Sequence, residues 1–232
     1  SGGEITIEDV VGSFGILGAV AEVEMSITTL KTSMGFAGYG FNTMEDATAF
    51  YCAIKDNSVD KPFFLSLSDK KFEKLSHVTI PTRNFFVYAV FYDNPEKTGK
   101  AIAYIAEKAK EWNGLAIDQW YLEEKWRDIA ETELNLGRLC NNPIFQEYWV
   151  SDERITQFYK MYTPMVKTDK YRNAFYMIAG VEGKSRIKLF GLSDIENSLE
   201  FFGIKANFNL MVQKSYKSGD GIYTIGVVNT FY

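Results

Sequence analysis

From Asn84 to Asp118 the chain reads as a strand, a helix and a second strand in immediate succession, and no other stretch limits the fold so tightly. Asn84-Phe85-Phe86-Val87-Tyr88-Ala89-Val90-Phe91-Tyr92 is an almost unbroken run of β-branched and aromatic residues, which suits a strand buried on both faces. At Asp93-Asn94-Pro95 the run ends. Asn94 can cap a helix there, and Pro95 fits its first position, where the amide has no intrahelical partner. Ile102, Ile105, Ala109 and Trp112 then recur with the 3.6-residue rhythm of a helix packed on a core, with Lys100, Glu107, Lys108 and Glu111 on its other side. Asn113-Gly114 stops this helix, and Leu115-Ala116-Ile117-Asp118 is expected to return as a strand parallel to the first.

The same alternation runs along the chain. Thr43 with Asp46 approximates a capping box before the apolar stripe Ala47, Phe50, Tyr51 and Ile54, and the helix ends near Asp56-Asn57. Pro62 to Ser68 reads as a strand, and Asp69 to Ser76 as a charged surface connection. A helix carries Leu122, Trp126, Ile129, Ala130 and Leu134 on one side; a strand follows at Ile144–Val150, and a helix capped by Ser151-Asp152 runs through Ile155, Phe158, Tyr159 and Tyr162. Asn173–Ala179 turns at Glu182-Gly183-Lys184 into Arg186–Phe190, Ser193 to Glu196 opens another helix, and Phe208–Asn229 reads as a hairpin. These elements predict an α/β fold: a central, mostly parallel sheet flanked by helices, with antiparallel hairpins toward the C-terminal end. Residues 1–41, with Gly12, Gly15, Gly18 and the run Gly35–Phe41, are expected to form an extended Gly-rich arm or hairpin, and 42–232 a single α/β domain.

With 46% hydrophobic residues the chain can bury a sizeable core, and its net charge of -5 argues against a surface built as a whole for nucleic acid. The two cysteines, Cys52 and Cys140, read as buried small hydrophobes, which leaves neither a disulfide framework nor a zinc site. No segment reaches the roughly 18 apolar residues of a membrane span, and no signal peptide is visible. Ser1-Gly2-Gly3, without an initiator Met, reads as a cloning scar or a proteolytically matured end.

Two candidate chemistries remain. Ligands of open parallel sheets bind at the carboxyl ends of the strands. Asp93, Asp118 and Asp152 fall at such ends and could converge on Mg²⁺ for phosphoryl chemistry, although each also suits a turn or helix cap. Tyr159, Lys160, Tyr162, Lys170, Tyr171 and Arg172 interleave rings with positive charge, as surfaces that stack single-stranded nucleic acid do. His77, the one histidine, has no metal-ligand or nucleophile spacing around it and reads as a hydrogen-bonded surface residue. The glycines at positions 12, 15 and 18 lack both the P-loop ending and the dinucleotide-binding spacing.

Glu111-Trp112-Asn113-Gly114-Leu115-Ala116-Ile117, the strand Glu147-Tyr148-Trp149-Val150, and the succession Leu189-Phe190-Gly191-Leu192, Ser198-Leu199-Glu200, Gly203-Ile204, Asn207-Phe208 and Gly219-Asp220-Gly221-Ile222 resemble the core of a phage contractile tail sheath protein. That resemblance covers loosely the last 150 residues of the chain. It implies a structural protein that polymerises, with no catalytic residues. Against that resemblance the chain is short for a complete sheath subunit and is expected to lack the domain that would follow the last hairpin. Together with the abundant aromatics and the Gly-rich arm, the resemblance predicts a non-catalytic, self-associating virion component without a cofactor. Its expected partners are copies of itself and other assembly proteins, with no membrane, and its expected place is a virion or the cytoplasm of an infected or host cell. The alternatives are a single-strand nucleic-acid binder and a Mg²⁺-dependent phosphoryl-handling enzyme.

Overall fold

A computed structural model describes residues 22–24, 27, 30–57, 61–74, 82–136, 142–162, 171–180 and 183–193. The chain divides into two compact units, 1–30 and 31–232, and the elements described below belong to the second. The run from Gly35 to Phe41, expected in the N-terminal arm, is a strand of that second unit.

In chain order the elements are β1 (Ser33–Phe41), α1 (Met44–Lys55), β2 (Phe64–Asp69), the short α2 (Lys70–Glu73), β3 (Phe85–Asp93), α3 (Pro95–Glu111), β4 (Leu115–Ala116), α4 (Gln119–Leu136), β5 (Asn142–Ser151), a 3-10 turn (Asp152–Arg154), α5 (Ile155–Tyr162), β6 (Tyr171–Ala179) and β7 (Lys184–Ser193). The strands form one sheet of seven in the order β4-β1-β3-β2-β6-β7-β5. Every neighbouring pair is antiparallel.

This overturns the expected mostly parallel sheet, for a reason that lies in strand order. β3 and β4 do run in the same direction across α3, as the Asn84–Asp118 pattern demanded, but β1 lies between them and pairs antiparallel with both. In the same way β3 lies between β1 and β2, and β7 between β5 and β6. Each strand-helix-strand unit is therefore split by a strand from elsewhere in the chain, the arrangement of the split βαβ motif. Because such crossovers share one hand, their helices fall on one face. α1, α3 and α5 accordingly bury one continuous core with Ala37, Phe41, Leu65, Leu67, Val87, Ala89, Phe175, Met177, Ile187 and Leu189. α4 lies on the opposite face, with Tyr121 and Leu122 on Tyr88 and Val90, while Phe72 of α2 packs on Tyr176 and Phe190. β3 is thus covered on both sides, which explains its unbroken apolar run in an antiparallel sheet.

Local chemistry sets the element ends. Thr43 caps α1 by accepting from the Asp46 amide at 3.1 Å, the forward half of a capping box, and its hydroxyl donates to the Asp46 carboxylate at 2.6 Å. Asn94 accepts from the Lys97 amide at 2.9 Å, and Pro95 begins α3. At the far end of α3 the left-handed residue is Asn113 (φ 54°), not Gly114. The Gly114 amide reaches Ala109 O and the Asn113 amide reaches Lys110 O, the paired bonds of a Schellman end. Gly114 serves a different need: a Cβ there would stand 2.9 Å from the Phe41 ring.

Candidate functional site

The three aspartates do not converge. Asp93 ends β3, accepts from the Asn94 amide at 2.8 Å and lies 3.8 and 3.9 Å from the ammonium groups of Lys31 and Lys97. That amide bond, with the two lysines behind it, holds its carboxyl below the usual range. Asp118 precedes α4, where its carbonyl accepts from Tyr121 and Leu122. Asp152 follows β5, at the opposite edge of the sheet from β4 and so from Asp118. Among the described residues no group of three or more His, Cys, Asp or Glu could hold a metal ion. The convergence required these strands to be neighbours: β3, β4 and β5 do run in one direction, but β1 lies between β3 and β4, and three strands separate β3 from β5.

Of the mixed aromatic and basic segment, Tyr159 is taken up by packing. The Tyr159 ring stands edge-on between Phe85 and Phe175, at 5.3 and 5.2 Å between centroids, on the helix-covered side of the sheet. Lys160 pairs with Glu45 at 2.6 Å. Tyr162 ends α5, and Tyr171 and Arg172 begin β6 opposite Ser193 and Leu192 of β7. Lys170 and His77 lie outside the described residues, as do Cys140, the helix expected after Ser193 and the hairpin expected at Phe208–Asn229.

The structure instead brings together two polar networks, of whose members the sequence had marked only Asp152 as a site candidate. On the α4 face, the Glu73 carboxylate accepts from Ser68, Lys125 and Tyr121, the last at 2.5 Å. Its side chain is 0% exposed and that of Lys125 is 9% exposed. Burial opposes ionisation of Glu73, but the Lys125 charge and the three bonds outweigh it and hold the carboxyl below its ordinary value. The Lys125 ammonium also lies 5.7 Å from the centre of the Phe72 ring. Beside it, Asp69 caps α2 by accepting from the Phe72 amide at 2.8 Å, and the same oxygen accepts from the Phe175 amide of β6 at 3.2 Å. Burial pushes the Asp69 carboxyl up to about 7, against those two amide bonds and the Lys71 charge, with Glu73 adding to the rise.

On the opposite face Lys55, at the end of α1, donates to Asp152 at 2.6 Å and to the Lys184 carbonyl. Ser185 donates to Asp152 at 2.5 Å and shares a 2.9 Å hydrogen bond with Tyr51. A serine hydroxyl aimed at a carboxylate beside a lysine has the parts of an activated nucleophile. Ser185 is 0% exposed, however, so no substrate reaches its oxygen, and the group fastens α1 to the paired strands β5 and β7. Cys52 nearby is equally unsuited to nucleophilic work, since burial, with the Asp152 charge adding, pushes its thiol up to about 12.

Only one sequence signal could have exposed the first network. Ser68-Asp69 ends an apolar strand and Phe72 follows three residues later, which is a capping pattern rather than a solvated connection. Lys125 sits one turn after Tyr121 on the buried side of α4, inside a stretch whose charges otherwise face solvent.

No protein-family model matches the sequence, and no curated protein sequence matches it significantly. Solved structures do match its fold. Alkyldihydroxyacetonephosphate synthase superposes in one crystal form with a TM-score of 0.66 at 14% identity, covering 91% of this chain and 44% of that one. The 4-ethylphenol oxidase of Gulosibacter chungangensis, in complex with isoeugenol, gives 0.67 at 12% identity over 86% of this chain and 47% of its own. p-Cresol methylhydroxylase with substrate bound gives 0.64 at 12% identity over 84% and 46%. The likeness is one of fold, and this chain spans less than half of each of these proteins.

These matches overturn the resemblance to a tail sheath protein and the non-catalytic virion reading built on it. All three neighbours are enzymes by name; of the motifs behind the sheath resemblance, Glu147–Val150 and Leu189–Leu192 are paired strands of the antiparallel sheet, and those from Ser198 to Ile222 lie outside the described residues. A virion location has no support. Among the described residues no helix is long and apolar enough to cross a membrane.

Proposed function

We propose that this chain is one domain of a flavin-dependent enzyme of the oxidoreductase class. The observation that carries the proposal is the shared architecture: a synthase, an oxidase and a methylhydroxylase share a fold that extends over most of this chain, and the names of the last two denote oxidation.

The N-termini of α1 and α3 do not fit the diphosphate of a flavin dinucleotide. A diphosphate is held best by free amides at a helix N-terminus, reached through a glycine-rich turn. The turns Asn42-Thr43 before α1 and Asn94 before α3 contain no glycine, and Thr43 and Asn94 already occupy amides there. The first turns also carry Glu45, Asp46 and Glu96, which repel an anion. On this reading the described sheet contributes framework to such an enzyme, and the cofactor's phosphates are bound by other residues.

Flavin content of the protein expressed from its natural gene tests the proposal. Stoichiometric flavin released by heat, with a flavin absorption band before release, is the expected result. A protein that purifies without flavin, and whose thermal unfolding added FAD and FMN leave unchanged, would overturn it, because a ligand bound to the folded state at 100 times its Kd stabilises by about 2.7 kcal/mol.

A further inference from the structure

The joint between the two halves of the sheet is narrow. β2 and β6 pair only through Ser66, Leu67 and Ser68, opposite Ile178, Met177 and Tyr176, whereas β1 and β3 pair from Ser33 to Phe41. The next residue in the β2–β6 register is Asp69, opposite Phe175. There the Phe175 amide bonds to the Asp69 side chain, which also caps α2 through the Phe72 amide. One buried carboxyl therefore extends the joint and holds α2 to it.

Four residues on, Glu73 is buried as well, and it takes the Lys125 ammonium together with the hydroxyls of Ser68 and Tyr121. The groups facing Asp69 are thus Lys71 and Glu73 of α2, with Ser68 beside it and Tyr121 and Lys125 of α4 engaged by Glu73. The Phe85 position of β3, which pairs with it, brings no charge. We propose that Asp69 and Glu73 form a one-proton clasp at the junction of β2, α2 and β6: among the described residues, two buried carboxyls one helical turn apart are served by a single buried ammonium, so the joint stays closed with a proton on Asp69. Both amide bonds end on Oδ1, so a proton on Oδ2 leaves the cap and the link to β6 intact. Ionisation places a second negative charge in a site where, among the described residues, Lys125 is the buried positive charge and Lys71 acts from the exposed side of α2, and water must enter the joint to relieve it.

Burial raises the Asp69 carboxyl to about 7 in the folded protein, while an exposed Asp in the unfolded chain titrates near 3.9. Between those values the folded state holds a proton that the unfolded state has lost, so stability falls as pH rises through this window and levels off above it. The experiment is chemical unfolding of the wild type and Asp69→Asn from pH 5 to pH 8, since Asn keeps the oxygen that accepts both amides and cannot ionise. The wild-type unfolding constant should rise on the order of 100-fold more than that of the variant across this range. Equal pH dependence in the two proteins would overturn the clasp. The carbon-13 shift of the Asp69 carboxyl in the unsubstituted protein gives an independent reading: a midpoint near neutrality supports the proposal, and one below pH 5 refutes it.

Discussion

The two buried charge networks lie on opposite faces of the sheet and differ in how far water reaches them. Under α4 the Glu73 carboxylate is sealed at 0% exposure, with Lys125 at 9%. At the end of α1 the corresponding pair, Lys55 and Asp152, keeps 10% and 14%. The hydrogen-bond inventories are similar, since each carboxylate takes a lysine and a serine. The difference teaches that a buried ion pair is best judged by what replaces a lost partner. At Asp152 water can take the place of Lys55, whereas at Glu73 removal of Lys125 leaves an unpaired charge inside the protein.

The sharpest way to break this comparison is Lys125→Met. The variant should lose about 3–5 kcal/mol of unfolding free energy, the range for removing one partner of a buried pair. Adding Glu73→Leu should recover part of that loss, because the stranded charge goes with it. The hydroxyls of Ser68 and Tyr121 then lack their acceptor, at about 1 kcal/mol each, so recovery stays incomplete. Urea denaturation of the wild type, the single variant and the double variant checks both statements. A double variant no more stable than Lys125→Met would show that the pair contributes attraction of its own.

Lys55→Met should cost less, about 1–2 kcal/mol, the range of one charge-assisted hydrogen bond whose acceptor water can reach. Ser185 continues to bond Asp152, and Tyr51 continues to bond Ser185. If the same denaturation experiment gave a loss equal to that of Lys125→Met, exposure of the carboxylate would not be what separates the networks.

The contrast also shows where the sequence was legible. The strand at Phe85–Asp93, the Asn94 cap and the helix through Glu111 could be read from local chemistry, because caps and periodicity act over a few residues. The direction of β4 relative to β3 could be read as well. What could not be read was that β1 inserts between them, since strand order is decided by pairing between segments about 50 residues apart, such as Ala37 with Ala89. Asp152 was singled out for a metal; its partner Lys55 lies 97 positions away, and no local pattern announces that pairing. Glu73 and Lys125 carried the opposite signal, as charges normally mark solvated surface. The Tyr159 and Lys160 pair shows the limit in one step: adjacent residues on α5 send one ring into the core between Phe85 and Phe175 and one ammonium outward to Glu45.

That outward ammonium supplies the smallest expected effect. Lys160 and Glu45 approach to 2.6 Å, as close as Lys55 and Asp152, but their side chains are 67% and 53% exposed. At that exposure solvent and salt screen the attraction, and holding two long side chains in one geometry costs entropy. Lys160→Ala should therefore change stability by no more than about 0.5 kcal/mol, and the difference should shrink further in molar salt. Denaturation at low and high salt measures it. Equal distances with unequal losses would identify burial as the variable that ranks the three lysines, whereas a loss above about 1 kcal/mol at Lys160 would place an exposed pair level with Lys55 and remove the basis of that ranking.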